Sequence, residues 1–240
     1  MYILNMNSAD FAAATKDIST AVIPIGMIEA HGQHCPLGTD MLIPRRFMEL
    51  LDAELGGKVL IAPEITYGHS WSLAPFAGTL NIPNEVFAEY VYHIGLELKR
   101  WGLDKQLFFN GHGGNIPALT TVGERLADQG VTAMLINWWQ DFQPEILGVC
   151  SSQGHGGEDE TSLVLALDEN LVDMEQATVN NVRTVAQVFY PGMEAAVLPE
   201  GMSGDARQAS RTKGEKLYEL LLPQVVKLVK SLQTGDLVTK

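Results

Sequence analysis

Glu29, His31 and Asp40 are the residues whose types and spacing first point to chemistry. They lie in Glu29-Ala30-His31-Gly32-Gln33-His34-Cys35-Pro36-Leu37-Gly38-Thr39-Asp40, directly after the apolar run Thr20 to Ile28. A buried strand is expected to end there, and a loop carrying carboxylates and imidazoles to begin. Mixed oxygen and nitrogen donors suit Zn, Mn or Fe(II). Glu29 and His31 are two apart, so on extended backbone both face one side, toward one metal or two adjacent metals. Asp40 returns after the Gly38-Thr39 bend, where its carboxylate oxygens could bridge a metal pair. A polar turn uses the same residue types, so this stretch alone leaves both readings open. His34 has a spacing that allows ligation, but a supporting or structural role is the expectation.

Two further Gly-flanked histidines follow. In Asn110-Gly111-His112-Gly113-Gly114-Asn115, glycines let the backbone turn sharply and approach a ligand. A phosphate cradle fits this loop poorly, because no Lys-Ser/Thr pair follows and the glycine spacing is not the dinucleotide fingerprint. In Gly154-His155-Gly156-Gly157-Glu158-Asp159-Glu160-Thr161-Ser162, consecutive carboxylates suggest a cation, or simply an acidic first turn of a helix. Glu160 would sit at that helix mouth. His155, on the Gly-flanked portion, suits a proton shuttle better than a rigid ligand. Cys35 has acidic surroundings that raise a thiol pKa, so it reads as inert. Trp71, Trp138 and Trp139 could wall a pocket, though core packing is the default for any single aromatic. His69 is assigned no role, and His93 lies inside a helical pattern.

The elements that must position these residues alternate strand and helix. Strands are predicted at Thr20 to Gly26, Lys58 to Ala62, Gln106 to Asn110 and Thr132 to Asn137. A helix is predicted over Pro44 to Leu55, with Pro44 in its first turn and Gly56-Gly57 ending it. Pro83 opens a second helix, in which Phe87, Val91, Ile94, Leu98 and Trp101 recur at helical spacing before Gly102. Leu119, Val122 and Leu126 mark a third. A fourth begins near Glu160 and runs through Leu167. Ser210 to Leu232 is helical, with Pro223 expected to kink or split it. Tyr67 to Asn81 reads as a loop beside the site. The fold class is therefore α/β, a three-layer α/β/α arrangement around a mainly parallel sheet. Ligands bind such sheets past the carboxyl ends of the strands, which suits the loops at Glu29, His112 and His155.

Composition narrows the class. At 240 residues, with 46% apolar and 19% charged residues, the chain is expected to form a single domain over 1–240. Cys35 and Cys150 are its only cysteines, too few for a disulfide framework or a zinc module built on four thiolates. With no secretory pattern after Met1, the expected compartment is the cytoplasm. No apolar stretch approaches bilayer-spanning length. A formal net charge of −13 with no basic block argues against nucleic acid and anionic membranes as partners.

Together the three motifs resemble the creatininase family of metal-dependent amidohydrolases, from Ile25-Gly26 to roughly Gly214. Glu-x-His-Gly-x-His-x-Pro-x-x-x-Asp, Asn-Gly-His-Gly-Gly-Asn and Gly-His-x-x-x-x-Glu-Thr-Ser carry the resemblance, joined by Gly201-Met202-Ser203-Gly204-Asp205. It implies a creatininase-like α/β/α fold and a centre of two divalent metal ions, Zn and/or Mn, with Fe also compatible. Glu29, Asp40 and His112 would hold one ion. His31, Asp40 and Glu160 would hold the other, Asp40 being shared. His155 matches the catalytic histidine, and Glu160 joins it as a catalytic candidate. A homo-oligomer, often a hexamer, and a small-molecule substrate are implied too.

The chemistry of such a centre is attack of an activated water on a carbonyl, with His155 returning the proton to the leaving nitrogen. Creatinine-hydrolysing members carry Tyr and Glu where this chain has Gly113 and Gly114. A carboxylate ligand and a substrate-facing aromatic are thus missing, which weighs against creatinine itself. A C–N bond other than a peptide bond in a small molecule, first of all a cyclic amide, is the expectation. Formamides, peptides and cyclic ketones, the last cleaved at a C–C bond, are substrates of other branches. A non-catalytic metal-containing sensor is the rival from another class, and the intact His155 and Glu160 favour catalysis.

Overall fold

The computed structural model describes residues 1–237. Its first half runs α1 (Ser8–Ala14), β1 (Thr20–Ile25), α2 (Thr39–Leu55), β2 (Leu60–Ile61), α3 (Asn84–Arg100), β3 (Lys105–Asn110), α4 (Ile116–Asp128) and β4 (Thr132–Asn137). There follow α5 (Trp138–Asp141), α6 (Gln143–Leu147), α7 (Glu158–Leu167), β5 (Val179–Asn180), α8 (Met193–Val197), β6 (Gly204–Asp205) and α9 (Arg211–Thr234). The main sheet is parallel, in the order β2-β1-β3-β4, and β5 pairs with β6 as a separate antiparallel ribbon.

Successive strand residues point to opposite faces, and each face has its own helices. Val22, Leu107, Phe109 and Ile136 pack against α2, α7 and α9. Ala21, Ile23, Ile25 and Phe108 pack against α3 and α4. Both faces of β1 are thereby dry, which is why the strand reads as a continuous apolar run rather than an alternating one. The expected three-layer α/β/α fold is the one observed.

The strand order places a topological switch between β1 and β3. The chain leaves β1 toward β2 on one side and continues from β3 toward β4 on the other. The two strands stay paired to their last residues, Ile25 and Asn110, and the connections that leave them run to opposite sides, where open α/β sheets bind ligands in a crevice. Glu29 and His31 follow β1, and His112 follows β3.

Four expectations need correction. α2 begins at Thr39, so Asp40 lies in its first turn and Pro44 in its interior. Pro44 has no N–H for the Asp40 carbonyl. That carbonyl lies instead against Gly26 and Gly111, at the ends of β1 and β3, where a Cβ on Gly26 would come within 2.5 Å of it. Tertiary docking, not local propensity, thus sets the helix start. Pro223 does not split the last helix: α9 is continuous, with Pro223 on its exposed side, where water can satisfy the freed carbonyl. β2 is shorter than expected, at two residues. α7 starts at Glu158, because Gly157 serves as its N-cap and Glu158, Asp159 and Glu160 all occupy the first turn.

Candidate metal centre

Three histidines reach the crevice, and a backbone carbonyl orients each. His31 directs Nδ1 to the carbonyl of Glu29 at 3.1 Å. His112 directs Nε2 to the carbonyl of His69 at 2.9 Å. His155 directs Nε2 to the carbonyl of Ala30 at 2.7 Å. A carbonyl only accepts, so each of these nitrogens carries the ring's proton, and the opposite nitrogen presents its lone pair. All of those lone pairs face carboxylates. Nε2 of His31 lies 2.9 Å from Oδ1 of Asp40 and 3.6 Å from Oε2 of Glu160. Nδ1 of His112 lies 3.0 Å from both Oε1 of Glu29 and Oδ2 of Asp40. Nδ1 of His155 lies 3.5 Å from Oε1 of Glu29.

Lone pairs aimed at carboxylate oxygens repel unless a positive charge lies between them. Glu29 is fully buried, and neither of its side-chain oxygens has a hydrogen-bond partner among the described residues; Oδ2 of Asp40 has none either. Burying a carboxylate is expensive unless it is paired or coordinates a metal, and the groups that face these oxygens are histidine rings. The donor atoms form overlapping groups, each within 4.8 Å: Glu29, Asp40 and His112; His31, Asp40 and Glu160; and Glu29, His31 and His155. Asp40 contributes one oxygen toward each of the first two. The residues present fit a pair of divalent cations of the Zn or Mn type.

With protons alone to balance the charge, the site holds them tightly. Burial would depress His31, but the charge and hydrogen bond of Asp40, then Glu160 and Glu29, outweigh it and lift the ring to about 10. His112 is raised well above the usual histidine range by Glu29 and Asp40, again against burial. Asp40 is held far below the carboxylate range because His31 and His112 overcome the effect of burial. Glu160 is raised well above that range, first by burial and then by Asp40 and Asp159. His155 moves the other way: burial and neighbouring His31 push it down to about 4, which leaves the ring neutral near pH 7. The His31 and His155 rings lie 4.1 Å apart between centroids.

The structure gathers Glu29, His31, Asp40, His112, His155 and Glu160 in one crevice. His34 takes the supporting place, with Nε2 3.0 Å from the Gly156 carbonyl and 3.0 Å from Oγ1 of Thr161. The Cys35 thiol is pushed up to about 12 by burial, as an inert thiol should be. Trp138 is core, Trp139 lines the cleft and Trp71 is exposed. His93 is exposed on α3.

Other contributors escaped the sequence reading. The His69 carbonyl fixes the His112 tautomer, a backbone role that no residue type announces. Asp159 lines the cleft, buried beside Gln153 and Gly154, with its pKa pushed up to about 6 by burial. Ser203 brackets His155: its amide donates to the His155 carbonyl at 2.7 Å, and its Oγ accepts from the His155 amide at 3.0 Å. The Gly201-to-Asp205 stretch was the signal for this last contact, without indicating what it touched.

A parallel α/β sheet with a carboxylate–histidine cluster at its switch point defines a class of proteins with a candidate metal centre for hydrolysis. Within that class, the chain belongs to the creatininase family: the family model described as creatinine amidohydrolase matches residues 4–229. The mycofactocin precursor peptide peptidase of Mycobacterium tuberculosis is 30% identical over 236 residues, covering 93% of this chain and 90% of its own length. The creatinine amidohydrolase of Pseudomonas putida is 26% identical over 231 residues, covering 87% of this chain and 88% of its own. A solved structure of a creatininase described with Mn superposes with a TM-score of 0.83 at 23% identity, covering 96% of this chain and 97% of that one. This last likeness concerns the fold.

Proposed function

We propose that the protein is a metal-dependent amidohydrolase that cleaves a C–N bond in an open-chain, peptide-like amide. Glu29, Asp40 and His112 would hold one divalent cation, and His31, Asp40 and Glu160 a second. When bound, such ions lower the pKa of a water and polarise a carbonyl. The observation that carries the reading is the convergence of histidine lone pairs on buried carboxylate oxygens without hydrogen-bond partners.

The chain's own groups do the rest. His155 is neutral near pH 7, and its Nδ1 is free because Nε2 is committed to the Ala30 carbonyl. It can accept a proton from the attacking water and hand it to the leaving nitrogen. Ser203 keeps the His155 backbone in place while this happens. Gln140 and Gln143 line the cleft and offer both donors and acceptors to the amide groups of a substrate, and Gln153, whose side-chain nitrogen donates to the Trp139 carbonyl and Asp159, offers its oxygen. The absence of the Tyr and Glu of creatinine-hydrolysing members, at Gly113 and Gly114, favours an open-chain amide over creatinine. Peptidase relatives support the same direction.

The test is a screen of dipeptides, N-formyl amides and creatinine with protein stripped by chelator and reloaded with Zn or Mn. Turnover of open-chain amides that depends on metal is expected. Full activity after chelation, or no turnover of any amide, would overturn the reading. The proposal extends to a cytoplasmic homo-oligomer, hexameric by family resemblance, which light scattering would size. Among the described residues no helix is long and apolar enough to cross a membrane.

A further inference from the structure

The cleft of the proposed reaction does not end at the carboxylates. A second cavity of about 480 Å³ opens beside it, and the two share Ser72, His112, Gly113, Gly114 and Leu198. They form one groove, with His112 at the junction. Its halves differ in chemistry. The first is lined by Glu29, Asp40, Asp159 and Glu160 together with glutamines. The second has no carboxylate, lysine or arginine in its lining. Trp71, Pro117, Val188, Phe189, Met193 and Val197 form its apolar side, with Ser70, Thr184 and Gln187 also in the lining. The Trp71 and Phe189 rings lie 6.0 Å apart between centroids, and both are exposed, at 47% and 68%. Exposed aromatics grouped at a concave surface mark a place that a partner or ligand covers.

Gly113 leaves the passage open, and Gly114 lets the His69 carbonyl lie against the His112 ring. A Cβ on Gly114 would overlap the His69 carbonyl and come within 2.5 Å of Nε2 of His112. A side chain on Gly113 would project toward Trp139, whose ring is 3.8 Å from the position of its Cβ. Trp139 lines the first half of the groove, so such a side chain would cross the mouth between the halves.

We infer that the substrate carries a bulky apolar side group next to the scissile amide and that this group occupies the second cavity. Its polar remainder would lie among the glutamines. This inference rests on the amidohydrolase reading and names the substrate class for that site. Moving an apolar side chain out of water is the favourable step, and the side of the cavity formed by Trp71, Val188, Phe189 and Met193, away from His112, is where that step is not opposed.

Binding, not turnover, tests it. The full-length protein, loaded with Mn, is titrated calorimetrically with phenylalanine hydroxamate and with glycine hydroxamate. The phenylalanine probe should bind about tenfold tighter or better, with a negative heat-capacity change. Val188→Asp should bring that ratio close to one. Phe189→Asp, at a more exposed position, should do the same and serves if Val188→Asp fails to fold. Equal affinities in the unsubstituted protein overturn the inference, as does a ratio that survives both substitutions. A Phe189→Asp protein that changes mass in sedimentation but keeps the ratio would mark the patch as a subunit contact, and also overturns it. If Mn binds and neither hydroxamate does, the inference fails and the hydrolase reading stands. If Mn does not bind, the hydrolase reading itself fails and takes the inference with it.

Discussion

At His112 a backbone oxygen decides what the side chain can do. Because Nε2 is committed to the His69 carbonyl, only Nδ1 is left for a cation, and it lies 3.0 Å from two different carboxylates. Asp40 is the residue the centre can least spare, since its oxygens face His31 on one side and His112 on the other. Asp40→Asn should therefore weaken metal binding by about 100-fold or more and abolish hydrolysis, read by elemental analysis and by assay. A pH effect follows from His31. Its ring is raised from an ordinary 6.5 to about 10, so with no metal bound its proton stabilises the fold fully below pH 6.5. That contribution is lost as pH rises through the folded value. Metal-stripped protein should thus lose melting temperature between pH 6.5 and 10 relative to metal-loaded protein, and metal uptake should release protons. Melting curves with identical pH dependence for both forms would contradict this. Glu29, His31 and Asp40 were legible in the sequence because they fall within one turn-rich stretch. Asp159 was not, since adjacent acids at a helix start look alike until their partners distinguish them: Glu158 takes Lys213, Asp159 takes Gln153 and Gly154, and Glu160 faces His31.

The element that sets the geometry is the start of α2. A proline six residues into a helix leaves a carbonyl without its helical donor, here that of Asp40, and this helix end fits against glycines that terminate β1 and β3. Close approach of helix and sheet places the Asp40 side chain between the two proposed ions. Gly111→Ala would force Asp40 away, because the added methyl overlaps the Asp40 carbonyl. It should destabilise the protein by about 1–3 kcal/mol in chemical denaturation and lower metal affinity as well. Unchanged metal affinity in a folded Gly111→Ala protein would show that this docking does not position the carboxylate. The sequence placed Pro44 in the first turn, where proline is usual, because nothing local reports that distant glycines accept the helix end. Pro223 misled for a related reason: a helix as long as α9, packed along the sheet, tolerates a proline on its exposed side.

For the whole molecule, the parallel sheet was readable from strand-length apolar runs separated by helical periods, and its switch point then put Glu29 and His112 in one crevice. The ribbon β5–β6 and the stretch around α8 were not readable, as short irregular segments carry no period. That stretch includes Val188, Phe189 and Met193, the wall on which substrate preference is proposed to depend. A ligand that binds only the folded state at 100 times its dissociation constant stabilises it by about 2.7 kcal/mol. Saturating Zn or Mn should therefore raise the melting temperature of stripped protein, and Mg, which prefers oxygen donors and retains its waters, should do so much less.

The most direct measurement is anomalous diffraction from crystals soaked in Zn or Mn and recorded at the metal's absorption edge. Two peaks are expected, one among Oε1 of Glu29, Oδ2 of Asp40 and Nδ1 of His112, the other among Nε2 of His31, Oδ1 of Asp40 and Oε2 of Glu160. Maps without density at either position under saturating metal would contradict the account.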